Sequence, residues 1–238
     1  MNDDLVSVGY LLLRPLERTS FFSALVPRSI TSASPCLCPR FPGIYAIDWS
    51  STPEDERGEA FVKIGIPPAD QPAARAWATR AFDDDFGWPG VFYSRDAALE
   101  ARRTFLSRVG DARVIGVGLS KDALDAFLES AAPQPIGGDT AGVETGAFTA
   151  AKRREALAPG GRRLGFELLN IELGEPHHSW SCNNLQDHFL TALGVRPNAE
   201  GFIDGLADAQ RCCAELASGK VGAEPGPWLP FALVAYEA

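Results

Sequence analysis

The sequence predicts an α+β fold, with mixed or antiparallel sheets packed against helices. Three observations support this class. Short apolar runs rich in β-branched residues recur along the chain, and runs with helical spacing of apolar residues lie between them. Hydrophobic residues make up 45% of the chain and charged residues 22%, which is typical of a globular protein. A length of 238 residues is enough for one large domain or two small ones.

The N-terminal part is predicted to alternate between strands and helices. Residues 14–41, with their Ser and Thr clusters and prolines, are expected to form a long loop with one short helix. Residues 50–59 are expected to form a polar turn. The predicted strands are residues 5–13, 43–49, 60–66 and 113–119, and the predicted helices are residues 73–82, 94–108 and 121–131.

The C-terminal part is expected to follow a linker. Residues 133–161 are rich in Pro, Gly and Thr, with one short helical piece at 150–157, and they separate predicted α+β domains at 1–132 and 162–238. Strands are predicted at 164–173 and 229–236. Helices are predicted at 181–193 and 206–217, closed by Gly194 and Gly219 respectively.

Residues 60–119 and 164–236 share the predicted order strand, helix, helix, strand. This order suggests two βααβ-like halves and an internal duplication. No residue string is repeated between the two stretches. Coincidence is the favoured explanation, because such short units are common.

The net charge of −9 bears on the class of partner. Both halves of the chain are acidic, so no single tail produces the charge. A nucleic-acid-binding protein normally presents a basic face, so this class is disfavoured. An acidic surface suits a basic protein partner, but acidity for solubility alone is the commoner explanation of such a charge.

The sequence contains no run of about 18 apolar residues, so no membrane span is predicted. The Met-Asn-Asp-Asp start lacks the basic region of a secretory signal. Five cysteines in a chain of this length favour reduced thiols. We therefore expect a cytoplasmic protein of bacterial type. Gly116 and Gly118 lack the third glycine of a dinucleotide-binding loop, and no cofactor is predicted.

Two acidic clusters with nearby tryptophans are candidate binding residues. They are Trp49 with Glu54, Asp55 and Glu56, and Trp88 with Asp83, Asp84 and Asp85. Aromatic anchors beside acidic loops are typical of a surface that recognises a basic protein. The alternative is that both tryptophans belong to the core and both clusters are solvated turns.

Residues 176–188 contain every histidine of the chain, together with Cys182. Cys182 at a helix N-terminus is a candidate nucleophile, with His178 or His188 as the base, and His177 is a further candidate. The alternative is that Ser181 caps the helix and Cys182 is a small buried residue. Adjacent histidines on an extended chain are expected to point in different directions, and Cys36 and Cys38 are too close for a zinc knuckle. No metal site is predicted.

A set of short strings in the last third of the chain carries a family resemblance. The strings are Gly-Phe-Glu at 165–167, His-Ser-Trp-Ser-Cys-Asn at 178–183, Gly-Val-Arg-Pro-Asn at 194–198, Gly-Phe-Ile at 201–203 and Ala-Glu-Pro-Gly-Pro-Trp-Leu-Pro at 223–230. This part of the chain resembles uncharacterised bacterial proteins of toxin-immunity type. The resemblance implies a protein that neutralises a toxin domain by direct contact.

The predicted function is accordingly that of an immunity or inhibitor protein that binds a cognate, basic toxin domain. The alternative is a cysteine- and histidine-dependent hydrolase or transferase that uses Cys182. A sensor with a small-molecule pocket between the halves is a third interpretation, with no residue that specifically supports it.

Overall fold

Leu5–Leu13 is a largely apolar run, with Ser7 and Gly9 within it, that is buried along its whole length and forms an interior strand of the sheet. The structure is a computed structural model that describes residues 5–43, 54–133, 142 and 144–237, with only the backbone described for residues 54–57. Its strands are β1 (Leu5–Leu13), β2 (Leu16–Glu17), β3 (Ser29–Ile30), β4 (Arg40–Phe41), β5 (Phe86–Gly87), β6 (Val91–Phe92), β7 (Arg113–Ser120), β8 (Arg162–Glu172), β9 (Glu175–Ser179) and β10 (Trp228–Tyr236).

Eight of these strands form one sheet in the described part of the chain. Their order is β5-β6-β1-β7-β10-β8-β9, and β4 pairs with β1 off this path. Every pair within the sheet is antiparallel. β10 lies between β7 and β8, where Leu233 faces Val117 of β7 on one side and Gly165 of β8 on the other. The predicted α+β class with an antiparallel sheet is confirmed.

Helices surround this sheet, and several begin at a side-chain cap. Ser94, Ser120 and Thr145 each accept a hydrogen bond from the backbone N–H three residues later, which satisfies a donor that the helix leaves unpaired. The helices are α1 (Glu54–Ile64), α2 (Gln71–Ala81), α3 (Arg95–Phe105), α4 (Lys121–Ser130), α5 (Gly146–Lys152), α6 (Gln186–Leu193) and α7 (Leu206–Ala217).

The sheet is buried on both faces. Successive side chains of a strand point to opposite sides, so each strand contributes residues to two cores. In β1, Tyr10 and Leu12 join a core that includes residues of α1, α2, α3, α6 and α7. Leu11 and Leu13 join a second core with residues of α4, α5 and the loop at 26–38. The chain therefore forms three layers, with the sheet between two sets of covering elements.

The predicted polar turn at 50–59 and the predicted strand at 60–66 are wrong over the described residues, because 54–64 form α1. Acidic residues at the first positions favour a helix N-terminus, and Lys63 Nζ forms an ion pair with Glu59 Oε1 one turn away at 3.1 Å. The predicted strand–helix–helix–strand order thus fails within 60–119, and within 164–236 it is observed with one additional strand, β9. The strand predicted at 43–49 and Trp49 lie outside the described residues apart from Gly43.

Two further boundaries differ from prediction. Residues 14–41 contain the short strands β2, β3 and β4 and no described helix. The helix predicted at 181–193 begins at Gln186, and residues 181–184 form turns instead. Ser181 therefore does not cap α6, and its hydroxyl accepts a hydrogen bond from Gln186 Nε2 at 2.8 Å.

The sheet draws strands from both predicted domains, since β7 pairs with β10. Part of the predicted linker also lies against β1. Ser7 N donates to Glu155 O at 2.8 Å, and Leu157 N donates to Leu5 O at 3.0 Å. The short helix expected at 150–157 is observed as α5, a few residues earlier.

Candidate functional site

A buried carboxylate on β8 holds together the two segments that form the site. Glu167 is 1% exposed and accepts hydrogen bonds from Ser32 Oγ, from Ala33 N at 2.8 Å and from Ser179 Oγ at 2.7 Å. Burial raises the pKa of this carboxyl group. Glu167 therefore fixes the loop that contains Cys36 against the end of β9.

A bulge in β9 brings two neighbouring histidines together. Leu169 of β8 faces Ser179 and Ile171 faces Pro176, so His177 and His178 together oppose the single residue Asn170. The ring centroids of the two histidines are 4.6 Å apart. The expectation that these side chains point in different directions is wrong, because the bulge interrupts the alternation of a regular strand.

Cys36 lies beside the two histidines, and together they form a compact set of metal-type donor atoms. Its Sγ is 3.5 Å from His178 Nδ1. One donor atom from each of Cys36, His177 and His178 lies within 4.8 Å of the others. Cys36 is exposed and the histidines are partly buried. Sequence reasoning missed this set because Cys36 lies 142 positions before His178.

Each histidine has a carboxylate behind it. Glu172 Oε2 is 3.0 Å from His178 Nε2, and Glu175 Oε1 is 3.3 Å from His177 Nδ1. The hydrogen bond to Glu175 raises the pKa of His177. These contacts occupy one nitrogen of each ring, leaving His178 Nδ1 and His177 Nε2 as the donor atoms.

Glu175 is itself fixed by a buried ion pair. Arg40 Nη1 lies 3.4 Å from Glu175 Oε2, and both side chains are 4% exposed. Arg40 Nη2 also donates to the carbonyl oxygen of Ala33, in the loop that leads to Cys36. A buried pair of this kind orients its members strongly, since neither charge has water as an alternative partner. The orientation of His177 therefore depends on Arg40 through Glu175.

Cys182 is the thiol neighbour of Cys36. A hydrogen bond from the Cys182 thiol lowers the pKa of Cys36 to about 7, and the same bond, together with burial, raises the pKa of Cys182. Ser179 N donates to Cys182 Sγ at 3.3 Å. Cys182 lies in the turn before α6 and not in its first turn, so the expected lowering of its pKa by the helix dipole is not found. Of these two thiols, Cys36 has the greater thiolate character.

The other thiols are structural. Cys38 is buried, its Sγ lies 3.3 Å from the carbonyl oxygen of Ile30, and burial raises its pKa to about 12. Cys212 and Cys213 are buried on α7. Burial also raises the pKa of Cys212 to about 12. Cys38 therefore takes no part in the set that Cys36 forms.

A cleft of about 1290 Å³ opens beside the site, with Cys36, His177 and Glu175 among its lining residues. Its charges are largely paired. Arg14 lies 3.0 Å from Asp111, and Lys63 pairs with Glu59. The cleft gives a bound molecule access to the Cys36 side of the site without a marked preference for either charge.

The described contacts of the remaining predicted site residues do not include Cys36, His177 or His178. His188 Nε2 is 3.7 Å from Glu215 Oε1 of α7, and its ring packs against Phe189. The three residues Asp83–Asp85 are exposed in the turn between α2 and β5. Trp88 is half-buried, and its carbonyl oxygen accepts from Gly146 N at 2.6 Å. Glu54, Asp55 and Glu56 lie at the start of α1.

Comparison with known proteins found no matching family model, no matching curated protein and no matching solved structure. Among the described residues, no helix combines the length and the apolar character needed to cross a membrane. The chemistry of the site therefore has to be inferred from its own geometry.

Proposed function

We propose that this protein binds a zinc ion through Cys36, His177 and His178, and that the site is hydrolytic. The observation that carries the proposal is the convergence of three donor atoms within 4.8 Å, with a carboxylate behind each imidazole. A carboxylate that accepts the second N–H of a histidine ligand is a recurrent feature of zinc sites, because it fixes both the tautomer and the ring orientation.

The donor set favours zinc over other common divalent ions. Thiolate and imidazole are preferred zinc ligands, whereas calcium and magnesium prefer oxygen. Zinc bonds of about 2.3 Å to sulfur and about 2.05 Å to nitrogen, at a tetrahedral angle, separate the two donor atoms by about 3.6 Å. The separation of Cys36 Sγ and His178 Nδ1 is 3.5 Å. This pair of atoms thus already has the spacing that a zinc ion requires.

Three protein ligands leave a fourth position open, as in catalytic zinc sites, whereas structural sites are closed by four. A zinc ion bound by these residues would supply the activation of a water molecule for hydrolysis. Glu224 is the carboxylate placed to accept a proton there, because its Oε1 lies 3.7 Å from His178 Nδ1. Asn183 Nδ2 donates to the other oxygen of Glu224 at 2.5 Å and orients the group.

The test measures metal content and coordination without requiring a substrate. Purified protein is loaded with Zn²⁺, desalted and analysed by elemental mass spectrometry, and a second sample is loaded with Co²⁺ for visible spectroscopy. We expect one tightly bound metal per chain, a thiolate-to-cobalt charge-transfer band, and a change in the cobalt d–d bands on adding azide, which requires an open position.

Matched variants assign the ligands. Cys36→Ser and His178→Ala should lose the metal, while His188→Gln, which alters the histidine outside the set, should retain it. A wild-type protein that retains no metal, or a Cys36→Ser variant that retains it fully, would overturn the proposal.

One observation favours a second candidate function, that of a thiol-dependent hydrolase or transferase. Cys36 Sγ, His178 and Glu172 form a row of sulfur, imidazole and carboxylate, which is the arrangement of a nucleophile, a base and an orienting group. This candidate replaces Cys182 by Cys36 as the nucleophile. Stoichiometric acylation of Cys36 by an activated ester in protein that binds no zinc would favour it over the zinc centre.

The toxin-immunity interpretation remains a prediction that rests on charge and resemblance. The exposed turn at Asp83–Asp85 supplies part of the acidic surface that it requires. A basic protein partner would be attracted to this surface by complementary charge. Its test is the capture of such a partner from a bacterial lysate.

A further inference from the structure

We propose that Cys36 and Cys182 form a reversible disulfide, and that this bond switches the site off. The disulfide rests on the arrangement of the two thiols alone. Its effect on metal binding rests on the proposed zinc centre. The feature that motivates the inference is a second thiol, Cys182, which is not one of the three grouped donors and which contacts the serine that also binds the backbone of Cys36.

Cys36 and Cys182 both contact one serine, Ser34. Cys36 N donates to Ser34 Oγ at 3.2 Å, and the same oxygen lies 3.5 Å from Cys182 Sγ. The neighbouring Cys182 side chain also lowers the pKa of the Cys36 thiol. A disulfide requires the two Cβ atoms to lie about 3.5–4.5 Å apart, and the contacts of both cysteines with Ser34 place them in the same neighbourhood.

The backbone around both cysteines is fixed, so the pair meets in one arrangement. Ser32 and Ala33 are held by Glu167 on the Cys36 side. Cys182 N donates to Ser179 O at 2.9 Å on the other. Cys36 is exposed, so a small oxidant reaches its sulfur first.

The remaining cysteines do not compete for this bond. Cys38 is fully buried, and its sulfur is directed to the carbonyl oxygen of Ile30. Cys212 and Cys213 are buried neighbours on α7, and consecutive side chains of a helix diverge. Oxidation is therefore expected to be selective for Cys36 and Cys182.

The chemistry is a two-electron oxidation by a peroxide. The Cys36 sulfur attacks one peroxide oxygen, the O–O bond breaks, and Cys36 becomes a sulfenic acid while one water leaves. The Cys182 sulfur then attacks the Cys36 sulfur, the S–S bond forms, and the hydroxyl leaves as a second water. Two thiols and one hydrogen peroxide thus give one disulfide and two waters.

The consequence for the site follows from the ligand set. A sulfur atom in a disulfide is no longer a thiolate donor, so only His177 and His178 remain of the three proposed ligands. A thiol reductant reverses the bond and restores the third donor. The site would therefore bind metal under reducing conditions and release it under oxidising conditions.

The experiment treats the metal-free, full-length protein with one equivalent of hydrogen peroxide, followed by non-reducing peptide mapping. We expect a linked pair of peptides containing Cys36 and Cys182 that disappears on reduction. Cys182→Ser should lose the link and accumulate sulfenic acid at Cys36, which is trapped with dimedone before mapping. Cys212→Ser, a buried thiol elsewhere, should retain the link. Peroxide-treated wild-type protein without a Cys36–Cys182 link would overturn the inference.

A second measurement separates this inference from the zinc proposal. Zinc-loaded protein is oxidised in the presence of a chromogenic chelator. The release of zinc and the formation of the linked peptide are measured over the same time course. Coincident release is the expected result. If the disulfide forms in a protein that never binds zinc, the zinc proposal is wrong and the disulfide proposal stands. If zinc binds but no disulfide forms, only the proposed switch is wrong.

Discussion

His178 Nδ1 lies 3.5 Å from Cys36 Sγ, although 142 positions separate the two residues in the chain. Two structural features produce this contact. The bulge of β9 turns His178 toward the same side as His177. Glu167 holds the loop at 32–33, close before Cys36, against β8. Variants of either feature should therefore change the chemistry of Cys36 and His178 together.

The first prediction concerns the carboxylate behind His178. Glu172→Gln removes the negative charge 3.0 Å from His178 Nε2, and we expect zinc affinity to fall by about 10- to 100-fold, as for other such partners of histidine ligands. Affinity is measured by competition with a chelator of known strength. Glu172 is about half exposed, so unfolding should change little.

Glu215→Gln is the matched control, because Glu215 lies next to His188 and not next to the donor set. Equal losses of affinity in Glu172→Gln and Glu215→Gln would contradict a specific role for Glu172.

The second prediction concerns stability. Glu167→Ala leaves two serine hydroxyls and the Ala33 N–H without their buried acceptor. We expect the free energy of unfolding to fall by about 2–4 kcal/mol, because each buried polar group left unpaired costs about 1–3 kcal/mol and partial relaxation recovers some of it. Urea unfolding measures the change. Glu17→Ala, at an exposed position of β2, should stay near wild type, and an equal loss there would argue against the buried network.

The third prediction concerns pH and the metal-free protein. The pKa of Cys36 is lowered to about 7 by the hydrogen bond from Cys182. Its thiolate fraction, and hence its rate of alkylation by iodoacetamide, should rise with pH and reach half of its maximum near that value. Mass spectrometry of the modified peptides follows each cysteine separately.

Cys182→Ala removes the donor and should move the half-maximum for Cys36 to higher pH. Cys38, Cys212 and Cys213 are buried and should react slowly in both proteins. An unchanged profile for Cys36 in Cys182→Ala would show that another group lowers its pKa.

The fourth prediction tests the immunity interpretation. Tagged protein captures partners from bacterial lysate at low and at high salt, and the interpretation requires one stoichiometric basic protein whose binding weakens with salt. Replacing Asp83–Asp85 with Asn should weaken the capture. The same charge change on α4, by Asp122→Asn, Asp125→Asn and Glu129→Gln, is the control. Equal effects of the two triple variants would indicate that capture depends on the net charge of the protein and not on a specific surface.

Much of the fold follows from local signals in the sequence. The apolar runs of β1, β7 and β10 predict buried strands, and the serines before α3 and α4 predict helix starts. α1 was not predictable from alternation, because residues 60–66 fit a strand pattern and the ion pair of Glu59 with Lys63 appears only once the helix forms. Local patterns therefore identify elements best where burial and capping agree.

The candidate site was only partly predictable. The sequence draws attention to His177, His178 and Cys182 because they are close together in the chain. Nothing local connects them to Cys36, since that contact depends on the order of strands in the sheet. The bulge of β9 could not be predicted either, because no glycine or proline lies between Pro176 and Ser179.

The position of β10 between β7 and β8 has a consequence for how the sheet is joined. Among the described strands, those on the two sides of β10 are connected within the sheet only through β10. Cys36 belongs to the β1 side, through the pairing of Leu13 with Arg40, while His177 and His178 belong to the β8 side. The loop of Cys36 nevertheless joins the two groups of strands without β10, because Glu167 of β8 accepts hydrogen bonds from Ser32 and Ala33 and Glu175 of β9 pairs with Arg40.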